Sequence, residues 1–138
     1  MNENPIIVID DDDEDLEVLQ EAFKELNIKN EIIVFTDGLK FLDFVKSAPN
    51  KTFFILCDIN MAKIGGLELK RRIYNDEELR LKCVPFVFLS TGKGSESVME
   101  AYSFGVQGYF VKPNSFDEIK EMLSYIINYW KHSQHPNL

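Results

Sequence analysis

The chain has 138 residues, of which 45% are hydrophobic and 28% are charged, and its formal net charge is −8. This length predicts a single domain spanning residues 1–138, with a core over about residues 5–130. The negative charge disfavours direct binding to nucleic acids or anionic membranes, because phosphate groups attract a concentrated basic surface. The segment that comes nearest to a basic surface is Lys70-Arg71-Arg72, which is short and is interpreted as the solvated face of a helix.

The sequence indicates neither a membrane span nor a secretory signal. No apolar run approaches the roughly 20 residues that a transmembrane helix needs, and the N-terminal residues 1–4 lack the basic start of a signal peptide. Cys57 and Cys83 have no CxxC or Cys/His pattern around them and are interpreted as free thiols. We therefore expect a cytoplasmic protein.

Strand-like and helix-like segments alternate along the whole chain. The predicted strands cover residues 5–10, 31–35, 52–58, 84–89 and 108–111. The first predicted helix is capped by Asp12 or Asp13, and the second follows the turn 36–38. The third covers residues 66–78, the fourth lies around residues 97–104, and the last begins at about residue 115. Five strand–helix repeats predict an α/β fold, a doubly wound, five-stranded parallel sheet of flavodoxin-like (βα)5 type. The strand order 2-1-3-4-5 suits five strands and places strands one and three side by side.

Apolar residues at helical spacing predict which face of each helix packs on the sheet. The last helix has the clearest period, and its predicted core residues are Ile119, Met122, Leu123, Ile126, Ile127 and Trp130. Tyr125 and Tyr129 lie outside that stripe and are expected to be exposed or at its border. In the second helix the same reasoning selects Leu39, Leu42 and Val45.

Three acids directly follow apolar strands: Asp10 and Asp11 end the first strand, and Asp58 ends the third. In an open parallel sheet the binding crevice lies beyond the carboxyl ends of the strands, so we expect these acids to converge. An acidic first loop excludes the glycine-rich phosphate cradle of dinucleotide-binding and flavin-binding relatives of this architecture. Residues 12–15, also acidic, are interpreted as a solvated helix N-terminus and are left out of the chemistry.

Clustered carboxylates raise one another's pKa, and a hard divalent cation relieves that repulsion. Mg²⁺ is bound by one or two carboxylates together with waters and phosphate oxygens, so a magnesium-loaded site can accept a phosphoryl group. Asp58 is then a candidate nucleophile, because carboxylates form aspartyl-phosphate intermediates. The fourth strand ends on Ser90-Thr91-Gly92, which offers hydroxyl groups, and the fifth ends on Lys112, a cationic clamp for phosphoryl oxygens.

Four motifs carry a resemblance that extends over almost the whole chain: Val8-Ile9-Asp10-Asp11, Leu56-Cys57-Asp58-Ile59-Asn60-Met61, Phe88-Leu89-Ser90 and Gly108-Tyr109-Phe110-Val111-Lys112-Pro113. Together they resemble the receiver domain of two-component response regulators, especially the stand-alone chemotaxis-regulator type.

The resemblance implies a role for each of these positions. Asp58 would accept a phosphoryl group from a histidine kinase or phosphotransfer protein, in a Mg²⁺-dependent reaction. Asp11, Asp58 and the backbone carbonyl of Asn60 would bind Mg²⁺, with Asp10 helping through water. Lys112 would pair with the phosphoryl group. Ser90 would hydrogen-bond that group in the active state, while Tyr109 turns inward as the switch. A cis peptide bond between Lys112 and Pro113 is also implied.

No output region is expected after the fifth helix, so the resemblance implies signalling through a partner protein. The expected contact surface is the face formed by the fourth helix, the fifth strand and the fifth helix, and the protein is expected to be a monomer or weak dimer. Two positions depart from the family pattern: the loop after the candidate phosphosite reads Met61-Ala62-Lys63-Ile64-Gly65-Gly66, and Gly92 offers no side chain to shield a phosphoryl group.

Two other functions remain open from the sequence alone. An aspartate-nucleophile phosphatase of the haloacid-dehalogenase kind typically has a second aspartate two residues after the nucleophile, where this chain has Asn60. A pseudo-receiver that never takes phosphate typically lacks the acid pair, the nucleophile or the lysine, and all of these are present here. Turnover of small phosphoesters would favour the first alternative, and failure to bind Mg²⁺ would favour the second.

Overall fold

A computed structural model describes residues 3–47, 51–91, 95–134 and 136 of the chain. The strands are β1 (Ile6–Ile9), β2 (Ile32–Phe35), β3 (Phe54–Asp58), β4 (Phe86–Ser90) and β5 (Gly108–Val111). The helices are α1 (Asp13–Glu25), α2 (Gly38–Ser47), α3 (Gly66–Tyr74), α4 (Glu77–Lys82), α5 (Ser95–Ser103) and α6 (Phe116–His132). The strands form one parallel sheet in the order β2-β1-β3-β4-β5, which confirms the predicted fold class and strand order.

Alternating strand residues point to opposite faces of the sheet, and each face carries its own apolar core. On one face, residues such as Ile7, Ile55 and Phe88 pack against helices α2, α3, α4 and α5. On the other face, residues such as Val8 and Leu56 pack against α1 and α6. The central strands β1, β3 and β4 are buried along their whole length, as expected for strands covered by helices on both sides.

The predicted apolar stripe of the last helix is confirmed. Its buried residues are Ile119, Met122, Leu123, Ile126 and Ile127, and Trp130 packs at the margin of the same core. Tyr125 and Tyr129 are 63% and 64% exposed, as expected for residues outside the stripe. No helix within the described residues is both long enough and apolar enough to cross a membrane.

The single helix predicted over 66–78 is wrong, because the structure divides this segment into α3 and α4. Helix α3 ends at Tyr74, and the side chain of Asp76 accepts a hydrogen bond of 3.1 Å from the backbone N–H of Leu79. Asp76 is therefore the N-cap of α4, and a short acidic side chain that satisfies a helix N-terminus favours a new start over continuation. The fourth and fifth helices of the sequence prediction correspond to α5 and α6.

Three smaller expectations are corrected by the structure. Leu39 was predicted to pack on the sheet, but it is 42% exposed. Phe41 is buried on that face of α2 instead, because the helix starts at Gly38 and turns Leu39 outward. Lys70 does not lie on a solvated face: it is only 1% exposed, and its ammonium group lies over the ring of Phe86. The cis peptide bond found in the described residues joins Val84 to Pro85, and the Lys112–Pro113 bond has the trans form that most X–Pro bonds adopt.

Candidate functional site

Strand register brings the polar residues at the strand ends to one edge of the sheet. Ile9 of β1 pairs with Cys57 of β3, so Asp10 and Asp58, the next residue of each strand, lie side by side. Asp58 in turn pairs with Leu89 of β4, one residue before Ser90. Of the three acids predicted to converge, the structure brings Asp10 and Asp58 together at the carboxyl ends of the strands, with Ser90 at the end of the next strand.

Asp10 and Asp58 are buried carboxyl groups, with exposed fractions of 1% and 9%. Oδ1 of Asp10 accepts a hydrogen bond of 3.0 Å from the backbone N–H of Asp12. Oδ2 of Asp10 is buried and, in the ionised form, accepts no hydrogen bond from the described part of the chain. Oδ1 of Asp58 accepts a hydrogen bond of 3.2 Å from the backbone N–H of Asn60. The pair thus retains acceptor capacity that the described residues leave unused.

The electrostatics of this pair follow from its burial. Burial raises the pKa of Asp10 to about 7; the charge of Asp58 adds to this rise, and the N–H group of Asp12 opposes it. Burial also raises the pKa of Asp58, against the hydrogen bond from Asn60 and the charge of Lys112, which both lower it. Two buried acids therefore repel each other without a cation between them, and a bound cation would be favoured.

Asp15 joins this pair, although the sequence analysis left it out of the chemistry. One carboxylate oxygen from each of Asp10, Asp15 and Asp58 lies within 4.8 Å of the other two. Asp12 caps α1 by accepting hydrogen bonds from the N–H groups of Glu14, at 2.9 Å, and Asp15, at 3.2 Å. The first turn of α1 thereby points Asp15 at the strand ends, while Asp13 remains exposed. A first-turn acid three residues after an N-cap was the only sequence signal for this position.

Lys112 lies at the mouth of the same group. Its Nζ is 2.7 Å from Oδ2 of Asp15 and 4.0 Å from Oδ2 of Asp10. The backbone N–H of Lys112 donates a hydrogen bond of 2.7 Å to the carbonyl of Ser90, which ties the residue after β5 to the end of β4. The predicted nearness of the lysine to the acids is therefore found in the structure.

Asp11 points in a different direction from Asp10. It is exposed, and its Oδ2 accepts a hydrogen bond of 2.8 Å from the backbone N–H of Ala62, in the loop after β3. The prediction that Asp11 converges with Asp10 and Asp58 is therefore wrong: the group of three carboxylates described above contains Asp15 in its place, and the Asp11 carboxylate is bonded to the Ala62 amide. In this arrangement the Asp11 carboxylate joins the two loops that border the site.

Ser90 and Tyr109 occupy neighbouring strands but different depths. Ser90 is 2% exposed at the end of β4. Tyr109 of β5 is half-buried, and its ring lies edge-on to Phe88 with 6.1 Å between the ring centroids. Gly92, which the sequence analysis singled out for its lack of a shielding side chain, lies outside the described residues.

Comparison with known proteins decides the family. Residues 6–124 match the family model of the response regulator receiver domain. The chain belongs to this family. It is 31% identical over 127 residues to chemotaxis protein CheY-3 of Vibrio cholerae, with 91% of this chain and 94% of CheY-3 covered. It is 28% identical over 131 residues to response regulator Rcp1 of Synechocystis sp., with 91% of this chain and 87% of Rcp1 covered.

Solved structures show the same receiver fold. The phosphorylated cyanobacterial phytochrome response regulator RcpA superposes with a TM-score of 0.86 at 22% identity, covering 98% of this chain and 99% of RcpA. The Mn²⁺-bound form of Rcp1 superposes with a TM-score of 0.82 at 26% identity, covering 96% of this chain and 99% of Rcp1. Response regulators generally receive phosphoryl groups from histidine kinases and act on downstream proteins, so this receiver domain is a signalling phosphoacceptor.

The donor set of the receiver domain fits a hard divalent cation. Its ligand atoms are carboxylate oxygens, which Mg²⁺ and similar ions prefer. The Oδ2 atom of Asp10 is buried without a hydrogen bond from the described residues, a carboxylate oxygen of Asp58 lies within 4.8 Å of an Asp10 oxygen, and Asp11 is exposed. Acidic oxygens that are crowded, buried and short of hydrogen-bond donors are stabilised when a cation supplies the missing positive charge.

Proposed function

We propose that this receiver domain accepts a phosphoryl group on Asp58 in a Mg²⁺-dependent reaction and signals through phosphorylation-controlled protein–protein interaction. The observation that carries the proposal is the position of Asp58: it is a buried carboxylate at the end of the central strand β3, beside Asp10 and within the same acidic group as Asp15. Lys112, whose positive charge lowers the pKa of Asp58, stands next to this group.

In the proposed reaction the carboxylate of Asp58 attacks the phosphorus of a phosphohistidine. The new bond joins an Asp58 oxygen to phosphorus, the phosphorus–nitrogen bond breaks, and its electron pair stays on the histidine. The ammonium of Lys112 and the hydroxyl of Ser90 then stabilise the charge on the phosphoryl oxygens. Asp10, Asp11, Asp58 and the backbone carbonyl of Asn60 would hold the Mg²⁺ ion, which supplies charge neutralisation for the incoming phosphoryl group.

Phosphorylation is proposed to act on a two-state switch at β4 and β5. A phosphoryl group at Asp58 draws the side chain of Ser90 towards the site, and the space this leaves is taken by Tyr109. The half-buried position of Tyr109 beside Phe88 supports this role, because the ring already stands between the core and the surface. The protein is proposed to catalyse only its own phosphotransfer and a slow hydrolysis of the phosphoryl group.

The proposed contact surface for a downstream protein is the face formed by α5, β5 and α6. A groove of about 360 Å³ lies there, and Tyr109 is one of its lining residues. Tyr102, Tyr125 and Tyr129, with exposed fractions of 51%, 63% and 64%, surround the same groove. Exposed aromatic side chains are enriched at protein–protein interfaces, and Tyr109, the proposed switch residue, lines this aromatic surface.

The remaining proposals concern partners and context. We infer that the phosphoryl donor is a sensor histidine kinase or a phosphotransfer protein, and that the chain acts as one receiver domain in the cytoplasm. The buried thiols of Cys57 and Cys83 are both unbridged, which suits a reducing compartment. A monomer or weak dimer is proposed, and light scattering with and without a phosphoryl mimic would measure this directly.

The experiment that tests phosphorylation is intact mass measurement after incubation with acetyl phosphate and Mg²⁺. We expect a gain of one phosphoryl group in the wild-type protein and no gain in Asp58→Asn or in excess EDTA. Asp43→Asn is the matched control, because it makes the same chemical change at an exposed helix position. Decay of the mass gain after donor removal then gives the rate of hydrolysis.

Three outcomes would contradict the proposal. A mass gain that persists in Asp58→Asn would place the phosphoryl group on another residue. A folded protein that binds Mg²⁺ but gains no mass from acetyl phosphate or from a histidine kinase would be a pseudo-receiver. Multiple turnover of small phosphoesters would instead support the phosphatase alternative.

The partner surface has its own test. Backbone NMR signals of residues near the groove are expected to shift when Mg²⁺ and beryllium fluoride, a phosphoryl mimic, are added. Tyr109→Ala is expected to abolish most of the shifts in α5 and leave those at Asp58 and Asn60 in place. If the α5 shifts persist in Tyr109→Ala, Tyr109 does not transmit the signal.

A further inference from the structure

In the resting protein, the closest carboxylate to Lys112 is Asp15 and not the candidate phosphoacceptor. The Nζ–Oδ2 distance to Asp15 is 2.7 Å, and the distance to Asp10 is 4.0 Å. Among the described residues, the ion pairs of Lys112 within 4.0 Å are these two, so Asp58 lies beyond that range. The Lys112 side chain is 16% exposed and the Asp15 side chain 35% exposed, so solvent only partly screens their attraction.

Local structure holds Asp15 in this position. The backbone N–H of Asp15 donates to the N-cap side chain of Asp12 at 3.2 Å, which fixes the first turn of α1. In the same turn Asp13 and Glu14 are exposed, whereas Asp15 is half-buried and faces the strand ends. One of its carboxylate oxygens lies within 4.8 Å of an oxygen of Asp58. Asp15 and a phosphoryl group on Asp58 would therefore be rival acceptors for one ammonium group.

We propose that Asp15 is a positioning residue that holds Lys112 in the resting state and competes with the phosphoryl group for it. The inference rests on the proposed phosphorylation of Asp58. Lys112 can move towards a phosphoryl oxygen only by giving up some or all of the 2.7 Å contact with Asp15. The strength of that contact thus sets how far phosphorylation shifts the protein towards its active state. Replacing Asp15 with asparagine keeps the side-chain shape and removes the competing charge.

The test is the affinity for beryllium fluoride at saturating Mg²⁺, measured by ¹⁹F NMR as a double-mutant cycle over Asp15→Asn and Lys112→Met. We expect Asp15→Asn to tighten binding about fivefold while Lys112 is present, the order expected for loss of a partly exposed ion pair. In the Lys112→Met background the gain should fall below about twofold, because only direct repulsion between Asp15 and the anion remains. Asp13→Asn removes the same charge from the same helical turn without touching Lys112, and its effect should also stay below about twofold.

Each other result would overturn the inference. Equal gains with and without Lys112 would mean that Asp15 acts only by repulsion. Weaker binding in Asp15→Asn would mean that Asp15 presents Lys112 to the phosphoryl group instead of competing for it. If Lys112→Met does not bind beryllium fluoride at all, the comparison of Asp15→Asn with Asp13→Asn decides: equal gains overturn the inference and a larger gain in Asp15→Asn supports it.

Failure of the proposed function would be visible separately. A wild-type protein that neither gains phosphoryl mass nor binds beryllium fluoride would overturn the role of Asp58, and this inference with it. A wild-type protein that does both, but shows no coupling between Asp15 and Lys112, would overturn the inference alone.

Discussion

Asp11 and Ala62 are joined by a hydrogen bond that spans 51 positions of the chain: Oδ2 of Asp11 accepts from the backbone N–H of Ala62 at 2.8 Å. The bond ties the loop after β1 to the loop after β3. One residue further on, Nζ of Lys63 lies 3.5 Å from Oδ2 of Asp37, at the start of α2. Two contacts therefore restrain the loop that follows the candidate phosphosite, one with Asp37 and one with Asp11, which is a proposed metal ligand.

If Asp11 binds Mg²⁺, the ion and the Ala62 amide share one carboxylate. We expect Mg²⁺ to weaken the hydrogen bond, so the Ala62 amide signal should shift and its hydrogen exchange should accelerate during a titration followed by NMR. In Asp11→Ala the bond is already absent, and Mg²⁺ should leave the Ala62 signal nearly unchanged while its affinity falls. An Ala62 amide that does not respond at saturating Mg²⁺ in the wild-type protein would exclude Asp11 as a ligand.

The raised pKa of Asp10 predicts a pH-dependent cost to stability in the absence of metal. The pKa is about 7 in the folded protein and 3.8 as the reference for the unfolded chain. Between these values the folded state binds more protons, so the free energy of unfolding falls as pH rises through the window. The Asp10→Asn variant lacks this pH-dependent contribution. Its free energy of unfolding minus that of the wild type should therefore rise by about 2–4 kcal/mol as the pH increases from 4 to 8.

The measurement for Asp10 is urea unfolding in EDTA across that pH range. Groups that do not interact with Asp10 cancel in the difference between wild type and Asp10→Asn, so the difference reports Asp10 together with its interaction with Asp58. Saturating Mg²⁺ should remove most of the fall in wild-type stability, because the cation compensates the ionised pair. A difference between the two proteins that stays flat with pH would contradict the prediction.

Gly66, the first residue of α3, packs too closely against β3 to carry a side chain. A Cβ atom there would lie 2.8 Å from the backbone oxygen of Asp58, from Cα of Ile59 and from Cε1 of Phe88. Two of these atoms belong to the backbone of the site and cannot rotate away. Gly66→Ala should therefore reduce the free energy of unfolding by about 1–3 kcal/mol, as measured by urea denaturation.

Gly65→Ala is the matched control for that prediction. The nearest atom to a Cβ at Gly65 is the backbone oxygen of Ile59, at 3.9 Å, so the change is sterically tolerated. The loss should stay below about 1 kcal/mol, since glycine at a helix N-cap is only moderately better than alanine. Equal losses in the two variants would contradict the steric explanation.

Lys70 is buried without a carboxylate partner within 4.0 Å among the described residues. Burial lowers the pKa of its ammonium group, which lies 5.5 Å from the centre of the Phe86 ring and 5.8 Å from that of Tyr74. Methionine keeps most of the apolar contacts and removes the desolvated charge. We expect Lys70→Met to leave the free energy of unfolding unchanged or raise it by up to about 1 kcal/mol.

Arg71→Met provides the comparison for Lys70. Arg71 is exposed and bonded to Glu68 at 2.6 Å, so its replacement should change the free energy of unfolding only slightly. A loss of more than about 1 kcal/mol in Lys70→Met would show that the buried ammonium makes a net favourable contribution. Both variants are measured by urea unfolding at pH 7.

The sequence alone determined the fold, the strand order and the core of the site. Apolar runs that end on Asp10, Asp58, Ser90 and Lys112 identify the carboxyl ends of four parallel strands. Parallel pairing brings such ends to one edge whatever the details of packing, because register is specified wherever both sheet faces are buried. For the same reason, the residues that pack on each sheet face could be read largely from the periodicity of strands and helices.

Only the tertiary structure decided the positions that depend on how a helix or loop sits on the sheet. Asp15 belongs to an acidic run that looks uniformly solvated, and the docking angle of α1 turns that one carboxylate towards Lys112. The partner of Asp11 lies in a distant loop, and Lys70 is buried with its ammonium group over the ring of Phe86 in β4. Sequence periodicity specifies which way a side chain points relative to its own element, whereas these contacts depend on the placement of one element against another.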